Sequence, residues 1–222
     1  MKEIKAIAFD IDGTLYPNWR LNIRVLPYFL KNIRFFLAFK KVRDILHQTA
    51  PLGDFFEYQA QLLCDIMKCD CKSAKEYIHE IVYDGLAPYF ANIKPFKNAI
   101  ESFAVFKKAG FKCAVLSDFP PEQKGDIWGA KQYCDVILGS EEIGALKPSI
   151  HTFGVLSEKL GLEPHEILYV GNNIKADIIG AQNAGMKTAY LLPFWRRILG
   201  LKLPQADISF KNYRQLQKIV LN

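Results

Sequence analysis

Two carboxylates, Asp10 and Asp12, stand one residue apart directly after the apolar run 4–9, and Gly13 follows them. An apolar run that ends in polar groups is typical of a buried parallel strand, so both carboxylates are expected at its carboxyl end. Like charges this close resist joint ionisation unless a cation lies between them or the two carboxylates have different tasks. One could attack as a nucleophile while the other moves a proton; an Asp helix cap followed by a Gly turn is the simpler alternative.

Three more polar groups follow predicted strands. Ser117 ends one strand, Lys147 precedes a Pro that begins a helix, and the segment 171–177 holds Asn172 and Asp177. A lysine near a helix N-terminus can direct its charge at an anion that the helix already attracts. Taken singly, these residues are typical of a turn serine, a surface lysine and helix caps. Ligands of open α/β sheets bind at the carboxyl ends of strands, where all of these residues are predicted to lie.

The elements that position these groups alternate between strand and helix after Pro95. Such alternation predicts a doubly wound α/β fold, a parallel sheet with helices on both faces. Strands are predicted at 111–118, 134–140, 166–173 and 186–192, and helices at 96–110, 148–161 and 174–185.

A helical block interrupts this pattern after the first strand. From Trp19 to about Leu86 the apolar residues recur at helical spacing, beginning with one stretch from Trp19 to Leu46. Ser73 and Glu76 have the spacing of a capping box, which predicts a helix start at Ser73. We therefore predict a core of residues 1–16 and 93–222 and an inserted helical domain of residues 17–92.

In this order and spacing the four segments resemble the motifs of the haloacid dehalogenase-like (HAD) hydrolase superfamily. The helical insertion resembles the C1 cap of its phosphoglycolate phosphatase and haloacid dehalogenase-like subfamily. The resemblance implies a HAD-like Rossmannoid core in which Asp10 attacks phosphorus and forms an aspartyl-phosphate. Asp12 would protonate the leaving alcohol and later activate water. Ser117 and Lys147 would bind the phosphoryl oxygens, and Thr14 and Asp118 are grouped with them.

The resemblance also implies Mg²⁺ as cofactor, with Asp10, Asp12, Asn172 and Asp177 as the candidate ligands. Two residues depart from the family pattern. Asn172 stands where the family usually has a metal-ligating Asp, so magnesium affinity is expected to be lower. Asp118 stands where Asn is common, and its carboxylate would repel a phosphate unless it points away or helps to hold the metal.

Together these features predict a Mg²⁺-dependent phosphomonoester hydrolase that acts on a small phosphorylated metabolite. Dehalogenation is disfavoured because the dehalogenases of this superfamily lack the second carboxylate, here Asp12. The alternative is a weakened or inactive HAD-fold protein that binds a phosphorylated ligand or a partner, since Asn172 replaces a charged ligand.

Composition limits the remaining possibilities. Half of the residues are apolar and 23% are charged, which excludes a wholly disordered chain. No apolar run is long enough to span a bilayer, and five cysteines are few for the length, so a cytoplasmic protein is expected. No P-loop or dinucleotide motif is present, and no motif indicates nucleic-acid binding.

The net positive charge of the chain is concentrated at the two ends of the sequence. Residues 1–50 hold nine Lys and Arg against four Asp and Glu, and residues 187–222 hold seven against one. Bases are interleaved with aromatic and aliphatic residues at 19–46 and 191–203, a mixture that suits an anionic membrane surface. A cap helix with its apolar face on the core and a solvated basic face is the preferred interpretation. A basic cap could also attract an anionic substrate. The oligomeric state is not predicted.

Overall fold

The computed structural model describes residues 3–222 and contains a six-stranded, all-parallel sheet in the order β3-β2-β1-β4-β5-β6. The predicted α/β class is therefore confirmed. The strands are β1 (Ala6–Phe9), β2 (Lys112–Ser117), β3 (Val136–Gly139), β4 (Ile167–Gly171), β5 (Lys187–Leu191) and β6 (Ile208–Phe210).

The sheet is buried on both faces because alternate side chains of its strands point into two apolar clusters. Ile7 and Phe9 point to one face, where helices α6 (Ala99–Lys108) and α11 (Tyr213–Leu221) pack. Ala6 and Ala8 point to the other face, which α8 (Ile150–Leu160) covers. Short apolar strands without polar positions are what this two-sided burial requires.

The central strand β1 pairs with β2 and β4, with Phe9 opposite both Val115 and Val170. Parallel strands in this register end at the same edge of the sheet. The residues that follow β1, the end of β2 and the end of β4 therefore come together at that edge. Three of the four predicted motifs, those that follow β1, β2 and β4, therefore lie at this edge.

The inserted segment between β1 and β2 is helical, as predicted. It contains α1 (Asn18–Lys31), α2 (Ile33–Leu46), α3 (Phe55–Met67), α4 (Cys71–Tyr77), a π-helical turn (Ile78–Asp84) and α5 (Gly85–Ala91). The first predicted stretch is divided into α1 and α2 at Asn32. The predicted start at Ser73 is wrong: α4 begins at Cys71, and its cap is Asp70, which accepts from Ser73 N.

The remaining helices are short. They are α7 (Ser140–Ile143), a π-helical turn (Ile174–Ile179), α9 (Gly180–Asn183) and α10 (Phe194–Ile198), and 3₁₀ turns cover Pro121–Lys124, Ile127–Gly129, Lys131–Tyr133 and Pro164–Glu166. Strand β6 and helices α10 and α11 were not predicted. Within residues 3–222, none of the helices combines the length and the apolar character needed to cross a bilayer.

A buried ion pair joins the inserted helices to the sheet. Arg43 of α2 forms a salt bridge with Glu141 of α7, and the Glu141 side chain is wholly buried. Tyr83 donates a hydrogen bond to Glu141 at 2.6 Å, and Gln59 accepts one from Arg43 at 3.3 Å. Burial raises the pKa of Glu141, and the Arg43 guanidinium opposes that shift. The charge of Arg43 is thus needed to keep a buried carboxylate ionised.

We expect Arg43→Met to lower the free energy of unfolding by about 3 kcal/mol, because it leaves the Glu141 carboxylate buried without its cation. Urea denaturation followed by circular dichroism measures this loss. The matched control is Lys40→Met, which removes a solvent-exposed pair with Asp44 on the same helix and should change stability by less than about 1 kcal/mol. Equal losses in the two variants would contradict a special role for the buried pair.

Candidate active site

The site is organised around the ammonium group of Lys147, which is almost fully buried. Its Nζ lies 2.8 Å from Asp10 Oδ1 and 2.8 Å from Asp177 Oδ1, and 3.2 Å from the hydroxyl of Tyr169. One buried cation therefore joins the residue after β1 to the turn that follows β4. The structure brings together three residues that are far apart in the sequence.

Burial and mutual repulsion determine how these groups ionise. Burial alone lowers the pKa of Lys147, but Asp10 and Asp177 outweigh it and hold that pKa well above its usual value. The pKa of Asp10 is raised to about 7, first by burial and then by the carboxylate of Asp177, and Lys147 only partly offsets these effects. Lys147 stays charged, and Asp10 would gain further from a second cation.

Asp177 has both of its carboxylate oxygens occupied. Oδ1 accepts from Lys147, and Oδ2 accepts from the backbone N–H groups of Asn172 at 3.1 Å and Asn173 at 2.9 Å. Gly171 is required at the end of β4, since a Cβ there would lie 2.3 Å from Asp177 Cβ. Asp177 thus fixes the turn that presents Asn172.

Thr14 connects Asp10 to Asn172. Its Oγ1 lies 2.7 Å from Asp10 Oδ2 and 3.0 Å from Asn172 Oδ1, and its carbonyl accepts from the buried Tyr213 hydroxyl at 2.6 Å. A hydroxyl has one hydrogen to donate, so it cannot satisfy both oxygens at once. Two oxygens of the kind that hard cations prefer therefore lie within hydrogen-bond distance of one hydroxyl.

Gly13 provides the space for Asn172. Its φ of 87° lies in the left-handed region, and a Cβ at this position would approach Asn172 Nδ2 to 2.5 Å. Within residues 3–222, no three His, Cys, Asp or Glu side chains are grouped as a metal site. A metal at this edge would thus depend on the amide oxygen of Asn172 in addition to carboxylates.

Asp12 faces a different set of groups from Asp10. Tyr16 donates to Asp12 Oδ1 at 2.5 Å, and the hydroxyl of Ser117 lies 3.4 Å from Asp12 Oδ2. The Asp12 side chain is 30% exposed, whereas that of Asp10 is 7% exposed. The two carboxylates therefore have the different surroundings that different chemical tasks require.

Lys124 is a site residue that the sequence analysis missed. Its fully buried ammonium lies 3.4 Å from Asp12 Oδ2. Its Nζ is 4.8 Å from the ring centre of Phe90 and 5.6 Å from that of Phe119. Among residues 3–222 it has no hydrogen-bond partner. The position of Lys124 in the loop after Ser117 is the one sequence feature that points to the site. Its residue type and spacing match none of the four motifs.

The loop that carries Lys147 is held from two sides. Asp118 Oδ1 accepts from the backbone N–H of Lys147 at 3.0 Å, so that oxygen points to the backbone. His47, at the end of α2, has Nδ1 2.7 Å from the Lys147 carbonyl oxygen and donates to it. His47 lies 100 residues before Lys147 in the sequence. The structure places it directly beside the third motif.

The sequence of the chain is similar to those of known hydrolases. Residues 4–185 match the family model of haloacid dehalogenase-like hydrolases, so the chain belongs to that family of hydrolases. It is 27% identical over 198 residues to the glyceraldehyde 3-phosphate phosphatase of Methanothermobacter thermautotrophicus, covering 82% of this chain and 83% of the relative. It is 32% identical over 212 residues to the phosphoglycolate phosphatase of Aquifex aeolicus, covering 93% and 92%.

The fold of the chain is also similar to the folds of solved structures. A HAD phosphatase from Thermococcus onnurineus superposes with a TM-score of 0.66 at 20% identity, covering 98% of each chain. At this identity the superposition establishes the fold, and the predicted membership of the HAD superfamily is confirmed by the family match.

The surroundings of Lys124 lead to a stability prediction. We expect Lys124→Met to leave the free energy of unfolding unchanged or to raise it by about 1 kcal/mol, because methionine keeps the packing and removes a buried charge. Asp12 is partly exposed and would not be left buried without a partner. Thermal or urea unfolding tests this. A loss above about 2 kcal/mol would show that the ammonium has a structural role.

Proposed function

We propose that the protein is a Mg²⁺-dependent phosphomonoester hydrolase that acts on a small phosphorylated metabolite through an aspartyl-phosphate at Asp10. The observation that carries the proposal is the placement of Asp10, with Oδ1 bound to Lys147 and Oδ2 beside Thr14 and Asn172. The similarity to relatives named as phosphatases of small phosphate esters supports it.

In the first step an Asp10 carboxylate oxygen forms a bond to phosphorus while the bond from phosphorus to the ester oxygen breaks. The leaving alkoxide takes a proton from Asp12. In the second step Asp12 takes a proton from water, whose oxygen attacks the phosphorus of the aspartyl-phosphate. The bond from phosphorus to the Asp10 oxygen breaks, inorganic phosphate leaves and the Asp10 carboxylate is regenerated.

The environment of Asp12 suits this exchange of protons. It is partly exposed, so a leaving group and water can reach it, and Tyr16 fixes the direction of one of its oxygens. Lys124 places a positive charge 3.4 Å from Asp12 Oδ2. Dehalogenation, which proceeds in this superfamily without a carboxylate at this position, has no use for such an arrangement.

Lys147 and Ser117 are proposed to bind the non-bridging oxygens of the phosphoryl group. Both lie at the sheet edge, and both are buried, where a fixed charge and a fixed hydroxyl act with little screening. Thr14 is proposed to complete this set. Asp118 contributes indirectly, since its hydrogen bond to the Lys147 backbone positions the loop.

The residues present fit a magnesium ion. Asp10 and Asn172 place oxygens together at Thr14, and the raised pKa of Asp10 indicates a carboxylate that a cation would stabilise. Asp10 and Asn172 would hold the ion, which when bound neutralises charge between Asp10 and the phosphate. The side-chain oxygens of Asp12, which is also grouped with these ligands on the resemblance, face Tyr16, Ser117 and Lys124 instead. Asp177, grouped with these ligands on the resemblance, has both oxygens engaged and is better suited to positioning Asn172.

We further propose that residues 17–92 act as a cap domain over the core of residues 1–16 and 93–222. The inserted helices have their own apolar cluster, which includes Phe39, Val42 and Leu63 and also takes in Leu146 beside Lys147. A cluster formed mainly by the inserted helices would let the segment move as a unit, and closure would exclude water between the two steps.

Purified protein should hydrolyse an aryl phosphate or members of a phosphometabolite panel in the presence of Mg²⁺. Asp10→Asn should lower kcat at least about 1000-fold, since the nucleophile is lost. Asp44→Asn, which changes an exposed Asp on α2, is the matched control and should retain the rate. A folded wild type with no Mg²⁺-dependent turnover on the panel would favour the alternative, a non-catalytic protein that binds phosphorylated ligands. Equal rates in wild type and Asp10→Asn would reveal a contaminant.

Asn172→Asp tests the position of the metal. A carboxylate in place of the amide should lower the Mg²⁺ dissociation constant at least about fivefold, because hard cations prefer charged oxygens. Isothermal titration with Mg²⁺ on the resting protein measures the change without any substrate. Asn173→Asp, one residue further along, is the control, and its side chain caps the next turn. An unchanged affinity in Asn172→Asp would contradict this placement.

A further inference from the structure

Helix α1 has an apolar face that no other part of residues 3–222 covers. Trp19, Ile23, Leu26 and Leu30 follow one another at spacings of four, three and four residues, which places them on one side of a helix. Each of these side chains is more than half exposed, and no residue of α1 is buried. The expected arrangement therefore describes only part of this helix: Leu21 packs against the main core cluster, while a second apolar face is exposed.

A second exposed apolar segment lies at the other end of the sequence. In and after α10, Phe194, Trp195, Ile198 and Leu199 are each more than half exposed. A protein that functions alone in water rarely exposes so many large apolar side chains in two segments.

The two segments adjoin one another. A cavity of about 690 Å³ has Trp19 on its wall together with Phe194 and Arg197, and it extends to Gly13 and Asn172 of the candidate active site. Trp19, the first residue of the exposed face of α1, and the α10 segment thus border the same opening. We call residues 18–34 and 193–203 together the apolar-basic surface.

The charges on this surface have one sign. Residues 18–34 contain Arg20, Arg24, Lys31 and Arg34, residues 193–203 contain Arg196, Arg197 and Lys202, and neither range contains Asp or Glu. A second copy of the chain docked here through the same surface would place cations against cations. An anionic bilayer offers an apolar interior and negative head groups at once, and tryptophan is suited to the boundary between them.

We propose that the apolar-basic surface docks the protein onto an anionic phospholipid bilayer. The Trp19, Ile23, Leu26 and Leu30 side chains enter the boundary between head groups and acyl chains, and the Arg and Lys side chains contact lipid phosphates. The protein lies on the membrane, and the opening that leads toward Asn172 faces it. The proposal does not rest on the phosphatase activity, because docking requires no turnover.

Co-sedimentation of the full chain with vesicles tests the proposal. Vesicles of phosphatidylcholine alone are compared with vesicles in which about one third of the lipid is phosphatidylglycerol, over a salt series. The test variant is Ile23→Gln with Ile198→Gln, and the matched control is Ile150→Gln. Ile150 is 57% exposed at the start of α8, which packs against β2 and β3.

We expect the wild type and Ile150→Gln to bind the anionic vesicles, with binding that falls as salt rises and is weak on phosphatidylcholine alone. The Ile23→Gln, Ile198→Gln variant should bind at least about fivefold less while its circular dichroism is unchanged. Light scattering should show a monomer in solution. No binding to anionic vesicles, equal binding by all three proteins, or a wild-type dimer that the double variant separates would each overturn the proposal.

Discussion

The buried charge of Lys147 is the interaction on which the rest of the site depends. An ammonium group out of water is stable only with anionic partners, and Asp10 and Asp177 supply them at 2.8 Å each. These partners are contributed by the ends of β1 and β4, so the pairing requires the strand order that brings those ends together. Gly171 then leaves room for Asp177, and Asp177 fixes the turn that carries Asn172. The order of the sheet, one glycine and one lysine together produce the environment of Asp10.

The inserted helices belong to the same system. Helix α2 contacts the region of Lys147 at two places, through the Arg43–Glu141 ion pair and through His47, which donates to the Lys147 carbonyl. The ring centre of Phe119 lies 4.4 Å from the guanidinium carbon of Arg43 and 5.6 Å from the Nζ atom of Lys124, and both cations are buried. The segment that we propose as a cap is therefore coupled to the catalytic loops by charge as well as by apolar packing. A movement of α2 would therefore change the position of the Lys147 backbone directly.

Much of this arrangement could be predicted from the sequence, because the strands are short apolar runs and the polar motifs follow them. The placement of Asp10, Ser117, Lys147 and Asn172 at one edge required only the rule for parallel sheets. Lys124 and His47 could not be found, since their roles come from tertiary contacts and neither has a motif around it. The predicted helix start at Ser73 was wrong because Asp70, three residues earlier, is an equally good cap. The Ser73 hydroxyl donates a hydrogen bond to the Asp70 carboxylate. The second, exposed apolar face of α1 could not be predicted, because helical periodicity shows that a face is apolar and does not show what covers it.

The central claim is that the Asp10 carboxylate is the group that accepts the phosphoryl group. Rapid acid quench of the protein during turnover with Mg²⁺ and excess substrate, followed by peptide mass spectrometry, tests it most directly. We expect a phosphoryl group on the peptide that contains Asp10, carried by the Asp10 side chain and absent from Asp10→Asn. Turnover that proceeds with the phosphoryl group on another residue, or with no phosphorylated protein at any quench time, would contradict it.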